Sequence, residues 1–297
     1  MVGATAGCVA RVTPEHAPGT AARFRFDWHP PCRVPVTERV EKQGQRTEFG
    51  YDVVMTTTRD PELLEVRMEN FRTDLSAESS QERRATIALA AALPVLRIAR
   101  DGVYVDMTGE QEMVTRMVEL SGARAGTPAA EQMERLLTSP QMLATLRERA
   151  GDTWRGWVGA WVGIDLAPGE VMDGVEELVV PGGVLRAPVR YRRDAAAPGV
   201  ARMSRIATLA GPEVEAFLAS VLVGVGRATG NAASTDMVRS ARRTTTLTAD
   251  TDPATLRPLR ATSTTETELE VNGEAPQTQK QVRQTEFDWQ RARGCGR

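Results

Sequence analysis

Histidine, cysteine and lysine are scarce in this chain, and their scarcity removes whole classes of chemistry. Its 297 residues hold two histidines, His16 and His29, three cysteines, Cys8, Cys32 and Cys295, and two lysines, Lys42 and Lys280. A structural zinc site draws about four ligands from closely spaced pairs, so no metal site is expected, and no cofactor. The usual nucleophile and acid–base repertoire is equally thin. The chain has no G-x-G-x-x-G in a strand-to-helix setting, no P-loop, no G-x-S-x-G and no H-E-x-x-H, which points away from an enzyme. A bilayer-spanning run of about 18 apolar residues is missing, and the N-terminus shows no apolar export segment. The formal net charge of −2 gives no general attraction to nucleic acid or anionic membrane.

What is present is alternation. A hydrophobic content of 41% suits a folded globule. From Arg257 to Trp289, Ala261, Ser263, Thr265, Thr267, Leu269 and Val271 alternate with Thr262, Thr264, Glu266, Glu268 and Glu270, the two-residue period of a strand. Asn272-Gly273 suits a tight type I′ turn, so a long C-terminal hairpin is expected. Upstream, the same period predicts strands over Phe24 to Trp28, Arg33 to Lys42, Thr47 to Thr58 and Leu63 to Leu75. Further strands are expected on both sides of Asp101-Gly102, over Val175 to Val180, Val184 to Arg192, Gly199 to Leu209 and Arg242 to Ala249.

The period changes to helical over Ser76 to Ala92 and again from Thr108 to Trp161. Thr108 with Gln111 reads as a capping box, and Thr127-Pro128 and Ser139-Pro140 read as two cap-plus-proline starts. Another helix opens at Pro212, carries Val214, Phe217, Leu218, Val221, Leu222 and Val225, and is expected to stop at Gly226. Segregated runs of strands and helices imply an α+β fold with a large, curved, mainly antiparallel sheet packed over a helical insert at about 108–162 and one later helix. Residues 1–22 read as a flexible tail or tether, and 23–297 as a single domain.

Candidate sites are few. Trp154, Trp157 and Trp161 with Met113 and Met117 are able to line a pocket for an apolar ligand, although helical spacing also suits a core between helices and sheet. Gly156, Gly159 and Gly163 between the tryptophans allow either close packing or a cavity. Phe26-Asp27-Trp28 recurs as Phe287-Asp288-Trp289, each followed by a cysteine. If the first and last strands are neighbours, Cys32 and Cys295 can form a disulfide, provided that the compartment is oxidising. Asp27, His29 and Cys32 form no convincing reactive cluster. Arg190, Arg192 and Arg193, with Arg239, Arg242 and Arg243, read as a solvated strand face, as do Glu266, Glu268 and Glu270.

Thr5-Ala6-Gly7-Cys8 resembles the lipobox of bacterial lipoproteins, with Thr5 where leucine is usual, which would make Cys8 the lipidated residue. Together with the long sheet and amphipathic helices, it resembles the envelope lipoproteins of half-barrel architecture, the LolA and LppX carriers, across about residues 23 to 297. That resemblance implies a non-enzymatic bacterial envelope protein on the periplasmic face, binding an apolar, lipid-like ligand or another envelope component. Its only membrane contact would be a lipid anchor, and no nucleic-acid partner is implied. Without a preceding signal peptide the protein would be cytoplasmic. The competing expectation is a structural or protein-interaction lipoprotein with a filled core.

Overall fold

A computed structural model of the chain describes residues 24–73, 92, 94–120, 126–180, 183–229, 238–272 and 275–296. Among these, eleven strands form one antiparallel sheet. The first meander comprises β1 (Cys32–Lys42), β2 (Gln45–Thr57), β3 (Leu63–Arg72), β4 (Val95–Ala99) and β5 (Tyr104–Thr108). The second comprises β6 (Val171–Val180), β7 (Gly183–Asp194), β8 (Ala201–Ala210), β9 (Val238–Thr251), β10 (Pro258–Val271) and β11 (Gln277–Phe287). Every sheet neighbour is also a chain neighbour except one pair: β1 lies beside β11, in register from Val36 opposite Phe287 to Lys42 opposite Gln281.

That one non-local pairing dictates the rest. It leaves β5 and β6 as the two edges of the sheet, so the chain must cross the sheet between them. Ten inter-strand steps amount to about 48 Å measured along the sheet. The crossing segment holds α1 (Glu110–Leu120), α2 (Pro128–Leu137), α3 (Pro140–Trp154) and a π-helical turn, Arg155–Gly159. It packs on the inner sheet face, where Val34, Val36, Val53, Met55, Val66, Leu96 and Met203 join Trp154 and Trp161 in the main core.

The local signals act in recognisable ways. The Thr127 and Ser139 side chains accept from the backbone N–H groups of Ala130 and Met142, with proline following each cap. Helix α3 passes unbroken through Gly151, where the Tyr104 ring lies 2.9 Å from where a Cβ would sit and leaves no space for a side chain. Helix α4 (Pro212–Thr229) continues past Gly226.

Several expectations need correcting. Phe24, Phe26 and Trp28 are buried in alternation, yet the segment is not a strand. Its backbone bonds go to loops, Asp27 N to Thr255 O at 3.1 Å and Phe24 N to Ile164 O at 3.3 Å, so alternation here reflects an extended segment lying across the end of the core. Thr108 ends β5 instead of capping α1, whose first bond runs from Met113 N to Gly109 O. The β10–β11 register pairs Leu269 with Gln277, whereas a two-residue turn at Asn272-Gly273 would place Leu269 opposite Pro276. The strand register is therefore offset by one residue from that of a two-residue type I′ turn, and Gly273 itself lies outside the described residues. Residues 1–22 with Cys8, the helix expected over 76–91 and the loop at 231–236 lie outside the described residues.

Beyond β11 the chain continues antiparallel along the start of β1. Asp288 N bonds Pro35 O, and Arg33 and Arg293 exchange backbone bonds, all at 2.9 Å. A disulfide joins Cys32 to Cys295 in this clasp, and the two Phe-Asp-Trp segments meet where Trp28 packs edge-on against Trp289 at 5.1 Å. The cross-link closes a loop with a sequence separation of 263, for which loop entropy predicts roughly 5 kcal/mol as an upper figure. Urea unfolding with and without reductant should show a lower midpoint on reduction, and Cys295→Ser should reproduce it.

Candidate functional site

The inner sheet face is the natural place for a site, and it divides into three zones. In the first, Trp154 donates its indole N–H to Gly102 O at 2.7 Å and meets Phe26 and Trp28 edge-on at 5.6 Å. Trp157 stacks on Tyr51 at 6.4 Å and meets the Phe287 edge at 5.4 Å. Trp161 lies edge-on to Tyr191 at 6.4 Å. Met113 is buried, and Met117 is half-buried against the same cluster. The five residues singled out in the sequence thus form part of the main core, with ring partners occupying the space next to the tryptophans. Of the glycines between them, Gly159 is the point of close approach, 3.1 Å from an added Cβ to the Trp154 ring.

The second zone is charged. Arg205 on β8 and Glu176 on β6 form a buried ion pair, and Arg155 from the π-helical turn reaches Glu176 at 3.8 Å. The Arg205 guanidinium lies over the Tyr191 ring at 5.9 Å, and burial pushes the Tyr191 hydroxyl up. A second buried group spans the central junction: Tyr51 donates to Glu38 at 2.7 Å, and Arg283 pairs with Glu38 at 3.1 Å. Burial, then the Glu38 charge, raises the Tyr51 hydroxyl well above its ordinary value. These charges sit on positions that alternate with apolar residues: Glu38 between Val36 and Val40, and Arg205 between Met203 and Ala207. A charge on the apolar phase of a strand was the signal that sequence reasoning passed over.

The third zone is apolar and thin. Under α4, Leu185, Val214 and Ala241 are buried, and Leu178, Val180, Leu209, Phe217, Leu218, Val238 and Leu269 pack against them while staying partly open. This strip is separate from the main core. Ser263, Thr265 and Thr267 on the inner face of β10 are likewise only half-buried.

Elsewhere, the arginines read as solvated are mostly paired. Arg190 holds Asp173 through two bonds, at 2.7 and 3.0 Å. Arg193 is no solvent residue, since it donates to Leu166 O and lies over the Phe24 ring at 5.0 Å. Glu266 pairs with Lys280 at 2.7 Å. His29 faces Asp27 at 3.4 Å, and Cys32 is tied in the disulfide instead of standing by as a thiol. Among the described residues, no group of His, Cys, Asp or Glu is arranged to hold a metal ion, and no helix is long and apolar enough to cross a membrane.

No protein-family model matches the chain, and no curated protein is similar to it in sequence. Among solved structures it is similar to lipovitellin, in a structure concerned with lipid–protein interactions, with a TM-score of 0.42 and 8% identity over 91% of this chain. The chain spans about a quarter of that one, 26% of its length. At this level the likeness carries no functional argument, and nothing in the comparisons points to LolA or LppX.

Replacing Glu176 by Gln would leave Arg205 buried without its counter-charge, which typically costs about 3–5 kcal/mol. Chemical denaturation should therefore show a large fall in stability for Glu176→Gln, and recovery when Arg205→Met is combined with Glu176→Leu. On the opposite face, burial alone would raise the Asp52 carboxyl, but hydrogen bonds from Asn70, Arg72 and Arg33 outweigh it and hold it below its ordinary value. A depressed folded pKa contributes stability above the unfolded pKa, and that stability is lost as the pH falls through the folded one. Asp52→Asn should be less stable near neutrality by on the order of 1 kcal/mol, since its ion pairs are partly open to solvent. The gap should close as the pH drops below about 4.

Proposed function

We propose that this protein is a non-enzymatic binding protein of the bacterial envelope, a half-barrel lipoprotein anchored through Cys8, whose ligand is apolar and lipid-like. The observation that carries the reading is the thin apolar strip between α4 and the inner face of β6 to β10, where, among the described residues, Leu185, Val214 and Ala241 are buried and their apolar neighbours stay half-open. Main-core positions such as Val34, Met55, Leu96 and Met203 are wholly buried; among the described residues of the α4 strip, seven apolar side chains stay half-open. A helix covering half-open aliphatic floor is able to move aside for an acyl chain at a small cost in lost contacts. In this reading Trp154, Trp157, Trp161, Met113 and Met117 act as the rigid scaffold beside the ligand. The disulfide supports an oxidising compartment.

A second reading, an interaction lipoprotein with no small ligand, draws support from the filled ring cluster around Trp154. Organic extraction of purified protein followed by mass spectrometry separates the two. Acyl species should co-purify with the wild type and be lost from Ala241→Trp, which fills the strip from the sheet side. An extract free of acyl species from correctly folded protein would favour the interaction module.

A further inference from the structure

The outer face of the first meander, on the side of the sheet opposite the apolar strip and away from strands β6 to β10, holds a groove of about 770 Å³, within the range of small-molecule sites. Arg33, Asp52, Asn70, Arg72, Arg291 and Arg293 line it. Asp52 forms its anchor: one carboxylate oxygen accepts from Arg33 at 3.0 Å and Asn70 at 2.9 Å, and the other accepts from Arg72 at 3.0 Å. Arg33 also reaches Glu69 at 2.7 Å, and Arg291 reaches Asp288 at 3.5 Å. Among the described residues the Arg293 guanidinium has no acidic partner.

The local backbone is built to make this arrangement. Between Gly50 opposite Arg72 and Asp52 opposite Glu69, β3 carries one extra residue. Such a bulge re-aims the side chains that follow it. Here it turns Phe71 inward to stack on Tyr51 at 5.3 Å, and brings both Asn70, at a φ of 54°, and Arg72 onto Asp52. Residues held in the left-handed region gather at functional sites, and asparagine tolerates that region well. The opposite wall comes from the clasp, where Arg293 is fixed by its backbone pairing with Arg33 and by the neighbouring disulfide.

We infer that this groove binds a phosphate-bearing anion. Four permanently charged arginines line it, and the fork of a guanidinium suits the paired oxygens of a phosphate. Asp52 has both oxygens occupied by donors and orients Arg33 and Arg72, whose second terminal nitrogens donate to Glu69 at 2.7 Å and to Tyr51 O at 3.2 Å, so Arg291 and Arg293 are the arms that reach the ligand and the two held arginines supply fixed positive charge beside it. The phosphate is either free or carried on a lipid headgroup.

Both sources are tested on the full chain with its disulfide intact. Inorganic pyrophosphate is titrated calorimetrically, and vesicles of phosphatidylglycerol are compared with vesicles of phosphatidylcholine by co-sedimentation. The probe variants are Arg291→Gln and Arg293→Gln, whose side chains are exposed and whose folding is checked by the unfolding midpoint. Saturable binding of pyrophosphate weakened roughly tenfold by each variant establishes the site for a soluble phosphate. Binding only to phosphatidylglycerol vesicles, with the same loss, establishes it for a headgroup. Absence of binding to either probe, or binding that both variants leave unchanged, overturns the inference. Ala241→Trp should leave pyrophosphate binding intact, so this outcome is independent of the acyl-chain reading.

Discussion

The pairing of the first strand with the last is the constraint on which this structure depends. Each meander is assembled from sequence neighbours, but the second edge of β1 is satisfied only by β11. Bringing these ends together costs loop-closure entropy before any contact repays it, and the chain concentrates its compensation there. The Cys32–Cys295 bond, the Arg33–Arg293 backbone exchange, the Asp288–Pro35 bond and the Trp28–Trp289 contact all lie at one end of that junction. Once the meanders are joined this way round, the outer strands become the edges, and the segment between them has no path except across a face. The helical cover of the main core follows from the strand order.

Along the same junction, charge reinforces register. Glu38 on β1 is buried between Tyr51 on β2 and Arg283 on β11. A slip of one residue in β1 would send Glu38 to the outer face and bring Arg39 inward, away from Glu48 and Glu286, which it now meets outside. An apolar residue at position 38 would give up this discrimination while filling similar space. The buried group thus acts against misregistered pairing in addition to whatever it contributes to stability.

Most strands were legible because burial on one face imposes a period of two, and that period survives in Val34 to Val40 and in Ala201 to Ala207. The two proline-backed helix caps were legible for an equally local reason. What escaped was set by partners far away in sequence. Phe24 to Trp28 alternates as a strand does, but its hydrogen-bond partners are loops. Asp52, Asn70 and Arg72 form a group only because of a one-residue bulge whose presence no composition signal announces. Trp154, Trp157 and Trp161 were recognisable by their helical spacing, but α3 ends at Trp154, with Trp157 in the π-helical turn and Trp161 just beyond it, and the rings that pack against them come from β2, β7, β11 and the segment before β1.

The two faces of the sheet make opposite demands on rigidity. An acyl chain needs room, and among the described residues the α4 strip has three buried apolar side chains, seven half-open ones and no covalent tie. An anion gains most from donors already in place, because ordering a loose guanidinium would consume much of the charge-assisted hydrogen bond. Two of the groove's arginines are held by Asp52, and the backbone of a third is pinned to Arg33 beside the disulfide. The clasp is therefore placed where pre-orientation matters, and α4 covers the strip at the far end of the inner face, separate from the main core that the clasp secures. The strand order is compatible with this division, since α4 is inserted between β8 and β9, away from the β1–β11 junction.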